Sequence, residues 1–344
     1  MGRRRLYVRL AISTITSVAV LCAAEVWLRI TSRAERDKAQ RSSIWQGSQD
    51  STLIYVHRSH YRVNDRVVTE AHGLLQANDA SEKKLPKTSR ILLIGDSVAA
   101  MPELPEAARL SGQLEALLDG GGRPVQILNF AVNGYKTTQE ARLLETVASP
   151  FEADMILVQY CLNDPGNSSQ PTLWFLETTP PCSYLWDFGA TRLGIGRKPS
   201  TADPRYSQYV PIWGPQESSA DYWLSLYANG SESWASVEEG FGRIGAAARA
   251  RGIPVVLAIF PLFLEPNWRT NYVRPFHNQV RASAEAAGFT VVDLLEPLST
   301  HPVTELRKEA GDIYHASPLG LSLAAQELTK SLKELLPGPP ASNR

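Results

Sequence analysis

A glycine, an aspartate and a serine stand together at Gly95-Asp96-Ser97. Near the other end of the 344-residue chain, Asp312-Ile313-Tyr314-His315 sets a carboxylate three residues before an imidazole. Acyl transfer at a serine calls for a nucleophilic hydroxyl, a base to take its proton, a carboxylate to orient that base, and donors for the oxyanion. Ser97 is the candidate nucleophile, His315 the candidate base and Asp312 its orienter, the last two sharing one short loop. Donors are offered by Asn133-Gly134 and Asn163-Asp164, Gly134 through an unobstructed backbone N–H and Asn163 through its side-chain amide. Taken singly, each piece is an ordinary turn or helix cap. Their force lies in where they fall.

Residues 91–94 are four consecutive aliphatics between Arg90 and Gly95, the length and branching of a strand buried on both faces. Such strands belong to parallel sheets covered by helices. Similar apolar runs predict strands at 125–129, 155–160, 254–260 and 291–293. Helical spacing is carried by Leu114, Leu117 and Leu118 ahead of Gly120-Gly121-Gly122, and by Leu143, Leu144 and Val147 behind a capping box at Thr137 and Glu140. It recurs in Val237, Phe241, Ile244 and Ala248 up to Gly252, in Phe276, Val280, Ala284 and Ala287 up to Gly288, and in Leu321, Ala324, Leu328 and Leu332. Alternating strand and helix implies a parallel sheet with right-handed crossovers. The carboxyl edge of such a sheet is where ligands bind, and all four chemical pieces lie at or beside that edge.

Lys and Arg total 35, as do Asp and Glu, so the chain lacks the basic footprint of a nucleic-acid binder. Three cysteines are too few and too irregularly spaced for a disulfide framework; Cys161 and Cys182 are either small buried hydrophobes or a pair formed in an oxidising compartment. No His-Glu-x-x-His motif or cysteine pair at ligand spacing is present, so neither metal nor cofactor is expected. Residues 1–30 combine Arg3, Arg4 and Arg5 with an apolar segment and read as an uncleaved signal anchor rather than a cleaved signal peptide. Basic residues on both sides leave its orientation undecided. Residues 31–89 read as a polar stalk with short strands, 31–51 being a tether, and 337–344 as a disordered tail. Between 165 and 231 the alternation breaks in an insertion holding Trp174, Trp186, Trp213 and Trp223, either a self-packed surface excursion or a wall over the site.

Ser97 in Gly-Asp-Ser, Gly134 after Asn129-Phe130-Ala131-Val132-Asn133, Asn163 in Cys161-Leu162-Asn163-Asp164, and His315 after Asp312 together resemble the marker set of the SGNH, or GDSL-type, hydrolases. The resemblance covers residues 90–336, with the insertion unmatched. It implies a flavodoxin-like αβα sandwich with a five-stranded parallel sheet. It implies Ser97, His315 and Asp312 as triad, and the Ser97 and Gly134 N–H groups with the Asn163 amide as oxyanion hole. Two departures stand out: Cys161 occupies a place usually held by Gly, which should narrow the floor of the site, and Val98-Ala99-Ala100 leaves substrate choice unconstrained. The layout also resembles membrane-anchored bacterial members, which implies an extracytoplasmic domain. The expected activity is hydrolysis of an acyl ester on a small molecule, or on an envelope glycan or lipid. An O-acyltransferase with the same triad is the alternative, and an inactive tethered binding protein a third.

Overall fold

The computed structural model describes residues 2–119, 124–168, 220–265 and 270–337, with 183, 185, 186, 189, 210, 211 and 268. The glycine triplet at 120–122, Cys182, Trp174, Trp213 and the tail beyond Pro337 lie outside the described residues, and so does most of the insertion.

Helix α1 (Gly2–Ser42) opens the chain. Its stretch Tyr7–Thr31 is long and apolar enough to cross a membrane, and none of its most apolar window is buried against the protein. Several of its polar groups are satisfied within the helix, while Glu25 Oε2 accepts from Ser183 Oγ and Leu185 N of the insertion. Thr14, Thr16 and Thr31 donate to carbonyls four residues back, and Arg29 Nε donates to Glu25 Oε1 at 2.7 Å. Such a segment, at the amino terminus, suits a membrane anchor or a signal sequence.

The tether expected over 31–51 does not form. Helix α1 runs unbroken to Ser42, and from Ile44 onward the chain is packed into the domain. Strands β1 (Trp45–Gly47) and β2 (Tyr55–His57) form one antiparallel pair, β3 (Arg62–Val63) and β4 (Arg66–Val67) another. Ile44, Leu53, Tyr55, Val68, Leu74 and Leu75 join the main core. The polar residues that suggested a stalk satisfy the backbone instead. Glu70 is wholly buried and its carboxylate accepts from the N–H groups of His72, Leu74 and Ala80. Arg66 and the buried Arg109 both place their guanidinium groups on carbonyls of the 101–104 loop, and Arg109 also reaches Leu75 O.

The core is a parallel sheet of β5 (Ser89–Ile94), β6 (Val125–Asn129), β7 (Met155–Cys161), β8 (Val255–Phe260) and β9 (Thr290–Asp293), in the order β9-β8-β7-β5-β6. This is the flavodoxin-like order, with its switch point between β5 and β7. Every residue of β5, β7 and β8 is buried, which is why their sequences run apolar without alternation. Helices α2 (Leu110–Leu118) and α7 (Pro318–Leu335) pack against each other, as do α3 (Thr137–Thr146) and α5 (Glu232–Arg251), with α6 (Thr270–Ala286) beside α5 and β9; α4 (Ala220–Leu226) leads out of the insertion. The five-stranded α/β sandwich is the expected fold. At the end of the insertion Trp223 and Tyr227 are buried in the core, whereas Trp186 is exposed.

Candidate active site

Strand β5 ends at Ile94, and the chain turns through Gly95 and Asp96 into a single helical turn, Ser97–Ala100. Gly95 is required by space: a Cβ there would lie 2.7 Å from Gln159 Oε1. That oxygen accepts from the N–H groups of Asp96 and Ala99, so a side chain on β7 grips the turn from below. Asp96 caps the turn by accepting from Val98 N at 2.9 Å. Ser97 is thereby half-buried at the first helical position.

On the far side of the switch point, the loop between β9 and α7 is pinned at several points. Phe263 N donates to Ile313 O, Lys308 N to His315 O, and Ser317 N to Leu306 O. Within it, Asp312 Oδ1 accepts from Tyr314 N and His315 N, a tight turn that sets the imidazole over its own carboxylate. His315 Nδ1 stands 2.9 Å from Asp312 Oδ2, and His315 Nε2 stands 2.8 Å from Ser97 Oγ. Three residues expected from the sequence to act together are therefore in hydrogen-bonded series.

Burial pushes the Asp312 carboxyl up, but hydrogen bonds from the His315 ring and backbone and the charge of His315 outweigh it and hold the group down at about 2. For His315 the signs reverse. Burial lowers its pKa, while the Asp312 hydrogen bond and charge and the charge of Asp96 raise it, and the net shift is upward from 6.5.

The two donor positions also come to this edge. Val132 N donates to Gly95 O, which brings the loop after β6 against the serine turn. There Gly134 sits at φ +76°, and among the described residues its N–H makes no hydrogen bond. Asn163, just past β7, has its amide beside Asp96, where it lowers that carboxyl's pKa against the larger upward push of burial.

Three carboxyls and one amine lie beneath this rim. Asp96, Glu140 and Asp164 are wholly buried, and burial together with mutual repulsion pushes Glu140 and Asp164 well above the ordinary range. Lys136 is brought down to about 8 by burial, with Asp164 opposing. The capping box expected of Thr137 and Glu140 does not form. Lys136 is the extended N-cap residue, its N–H met by Gln139 Oε1, and Thr137 Oγ1 donates to Asp164 Oδ2. Neither oxygen of Glu140 has a partner among the described residues, which fits a neutral carboxyl. Cys161 is free and wholly buried.

Sequence reasoning missed Gln159, whose signal was one amide inside the otherwise apolar run of β7. Among the described residues no group of three or more His, Cys, Asp or Glu side chains is placed to hold a metal.

Residues 93–322 match the model of the GDSL-like lipase/acylhydrolase family, more than half of the chain. The chain belongs to that family and is an ester hydrolase. Among solved structures it is similar to a protein of Slackia heliotrinireducens described as an SGNH hydrolase, at 15% identity over 71% of this chain and 99% of that one, with a TM-score of 0.42. It is also similar to the lipase/acylhydrolase from Enterococcus faecalis (13%, 74% and 100%, TM-score 0.43). A third is a catalytic mutant of Axe2, an acetylxylan esterase from Geobacillus stearothermophilus (12%, 71% and 94%, TM-score 0.43). No curated protein matches the chain.

Proposed function

We propose that the chain hydrolyses its ester through a Ser97–His315–Asp312 triad, and that its substrate is an acylated glycan or lipid of the cell envelope. The observation that carries the reading is the continuous series Ser97 Oγ, His315 Nε2, His315 Nδ1, Asp312 Oδ2, with contacts of 2.8 and 2.9 Å. With its Nδ1 proton held by Asp312, neutral His315 accepts the Ser97 proton at Nε2 as Oγ attacks the ester carbon. The carbonyl oxygen becomes an oxyanion, received by the N–H groups of Ser97 and Gly134 and by the Asn163 amide. Collapse breaks the ester C–O bond, and His315 returns the proton to the departing alkoxide. A water molecule, deprotonated by His315, then attacks the acyl group on Ser97; collapse releases the carboxylic acid and restores the serine.

The envelope assignment is supported by helix α1, which would hold the domain at a membrane; that its rim faces the extracytoplasmic side is part of the proposal. A membrane-impermeant fluorophosphonate applied to intact cells tests reactivity and side together. The expected result is a phosphonyl adduct on the peptide bearing Ser97; labelling that appears only after lysis refutes the placement, and none in lysate refutes the serine chemistry.

The direction of the His315 shift gives a pH profile. Protonated His315 cannot accept the Ser97 proton, so activity is lost as pH falls through its pKa in the folded enzyme. Because that pKa is raised above 6.5, the acid limb of kcat/KM for a non-ionising ester is expected to have its midpoint above 6.5. With Asp312 held at about 2, no second inflection from its carboxyl is expected above that value. A limb centred at or below 6.5 contradicts the assignment.

A further inference from the structure

The Gly134 N–H belongs to the peptide unit Asn133–Gly134, and the oxygen at its other end is engaged by a residue far from the family domain. Val132 to Tyr135 form a turn closed by Tyr135 N donating to Val132 O at 3.1 Å. Gly134 has φ +76° while Asn133 does not have positive φ, which makes the turn type II. Asn133–Gly134 is its central peptide. Rotating that one peptide by about 150° converts type II to type I and swings the N–H away, with little change at either end of the turn.

What opposes the rotation is Tyr55. Its hydroxyl donates to Asn133 O at 2.8 Å, on the side of the peptide opposite the N–H. Tyr55 is wholly buried on β2, with its ring edge-on to Tyr135 at 5.3 Å, and Tyr135 Oη donates back to Tyr55 O. Gln139 Nε2 on α3 donates to Leu53 O and holds the same segment. Residues 53–57 precede the family match, which begins at residue 93.

We propose that Tyr55 is a positioning residue for the oxyanion hole, by which the amino-terminal extension completes a site that the family domain lacks on its own. The hydroxyl fixes the central peptide in the orientation that presents the Gly134 N–H, and by accepting at oxygen the peptide becomes a stronger donor at nitrogen. This rests on the reading of Gly134 as an oxyanion donor for Ser97.

The test is Tyr55→Phe in the full chain, which removes one oxygen and keeps the ring. The expected result is a fall of about tenfold in kcat for p-nitrophenyl acetate, the scale of one hydrogen bond, with KM unchanged. Affinity for phenylboronic acid, whose tetrahedral adduct on Ser97 places an oxygen in the same hole, should weaken by the same factor. A packing role would lower the melting temperature and leave both readouts alone. Arg142→Gln serves as the comparison, because it disrupts the 2.7 Å contact of helix α3 with Asp50 while leaving Asp50 Oδ1 on the N–H groups of Thr52 and Leu53, and should leave kcat at the wild-type value. Ser97→Ala is run alongside. Turnover retained there defeats the serine reading itself, whereas an inert Ser97→Ala with wild-type kcat and boronate affinity in Tyr55→Phe overturns only the role of Tyr55. Should Tyr55→Phe fail to fold, Tyr135→Phe removes the bond that holds Tyr55 in place. It is expected to lower kcat about threefold, and wild-type kcat there likewise overturns the proposal.

Discussion

Ser97→Ala is expected to lower kcat for a small aryl ester by about 10⁴-fold or more while leaving the fold and KM close to wild type. The hydroxyl is half-buried at the first position of a helical turn whose other contacts are made by its neighbours. Gln159 takes the Asp96 and Ala99 N–H groups, and Asp96 takes Val98 N. Removing Oγ therefore deletes the nucleophile and one partner of His315 without loosening the turn. The donors at Gly134 and Asn163 remain to polarise a bound carbonyl, which is why some residual turnover is expected. Burst and steady-state kinetics with p-nitrophenyl acetate measure it, and a loss of less than tenfold removes Ser97 from the chemistry.

Asp312→Asn is expected to cost about 10⁴ in kcat, for a reason specific to this loop. Asp312 Oδ1 accepts from two backbone N–H groups, Tyr314 and His315, and Oδ2 faces the ring at 2.9 Å. An asparagine must keep its single oxygen on those two donors. Its NH₂ group then points at His315 Nδ1 and donates to it. The ring is forced into the tautomer that carries its proton on Nε2, where it cannot accept from Ser97. Circular dichroism and the melting temperature should stay near wild type because the turn is intact, and the acid limb of the pH profile should fall below its wild-type position as the raising charge of Asp312 is lost. Retention of a tenth or more of wild-type kcat would show that Asp312 does not set the tautomer.

The sheet was legible because burial on both faces writes itself as uninterrupted aliphatic runs, and β5, β7 and β8 have every residue buried. The triad candidates were legible because each sits at a break in such a run or in the turn before the last helix. Two kinds of feature escaped. Buried polar residues look like surface when only composition is read: Glu70 inside the extension, and Arg90 and Arg109 beyond it, are charged types with 1% exposure or less whose partners are largely backbone groups, and Glu70, its carboxylate taken up by the N–H groups of His72, Leu74 and Ala80, belongs to a packed extension that read as a stalk. Local alternatives with similar chemistry were the second kind. Thr137 and Glu140 have capping-box spacing, but helix α3 starts one residue earlier than that box requires, since Lys136 is its extended N-cap. The threonine then meets Asp164, and burial with the charges of Asp164 and Asp96 pushes the glutamate carboxyl well above the ordinary range.

The junction between helix α1 and the domain has no slack. Ser43 alone separates the helix from the buried Ile44, and it is itself pinned, its carbonyl taking Arg58 Nε at 3.0 Å. From Thr31, the end of the apolar stretch, to Ser42 the helix extends about 17 Å at the usual rise. In a bilayer that holds Tyr7–Thr31, the height of Ser97 above the lipid surface is bounded by the length of this helix and its one-residue link to the domain. Esters would then be sorted first by how high they stand above the headgroups and only afterwards by their chemistry.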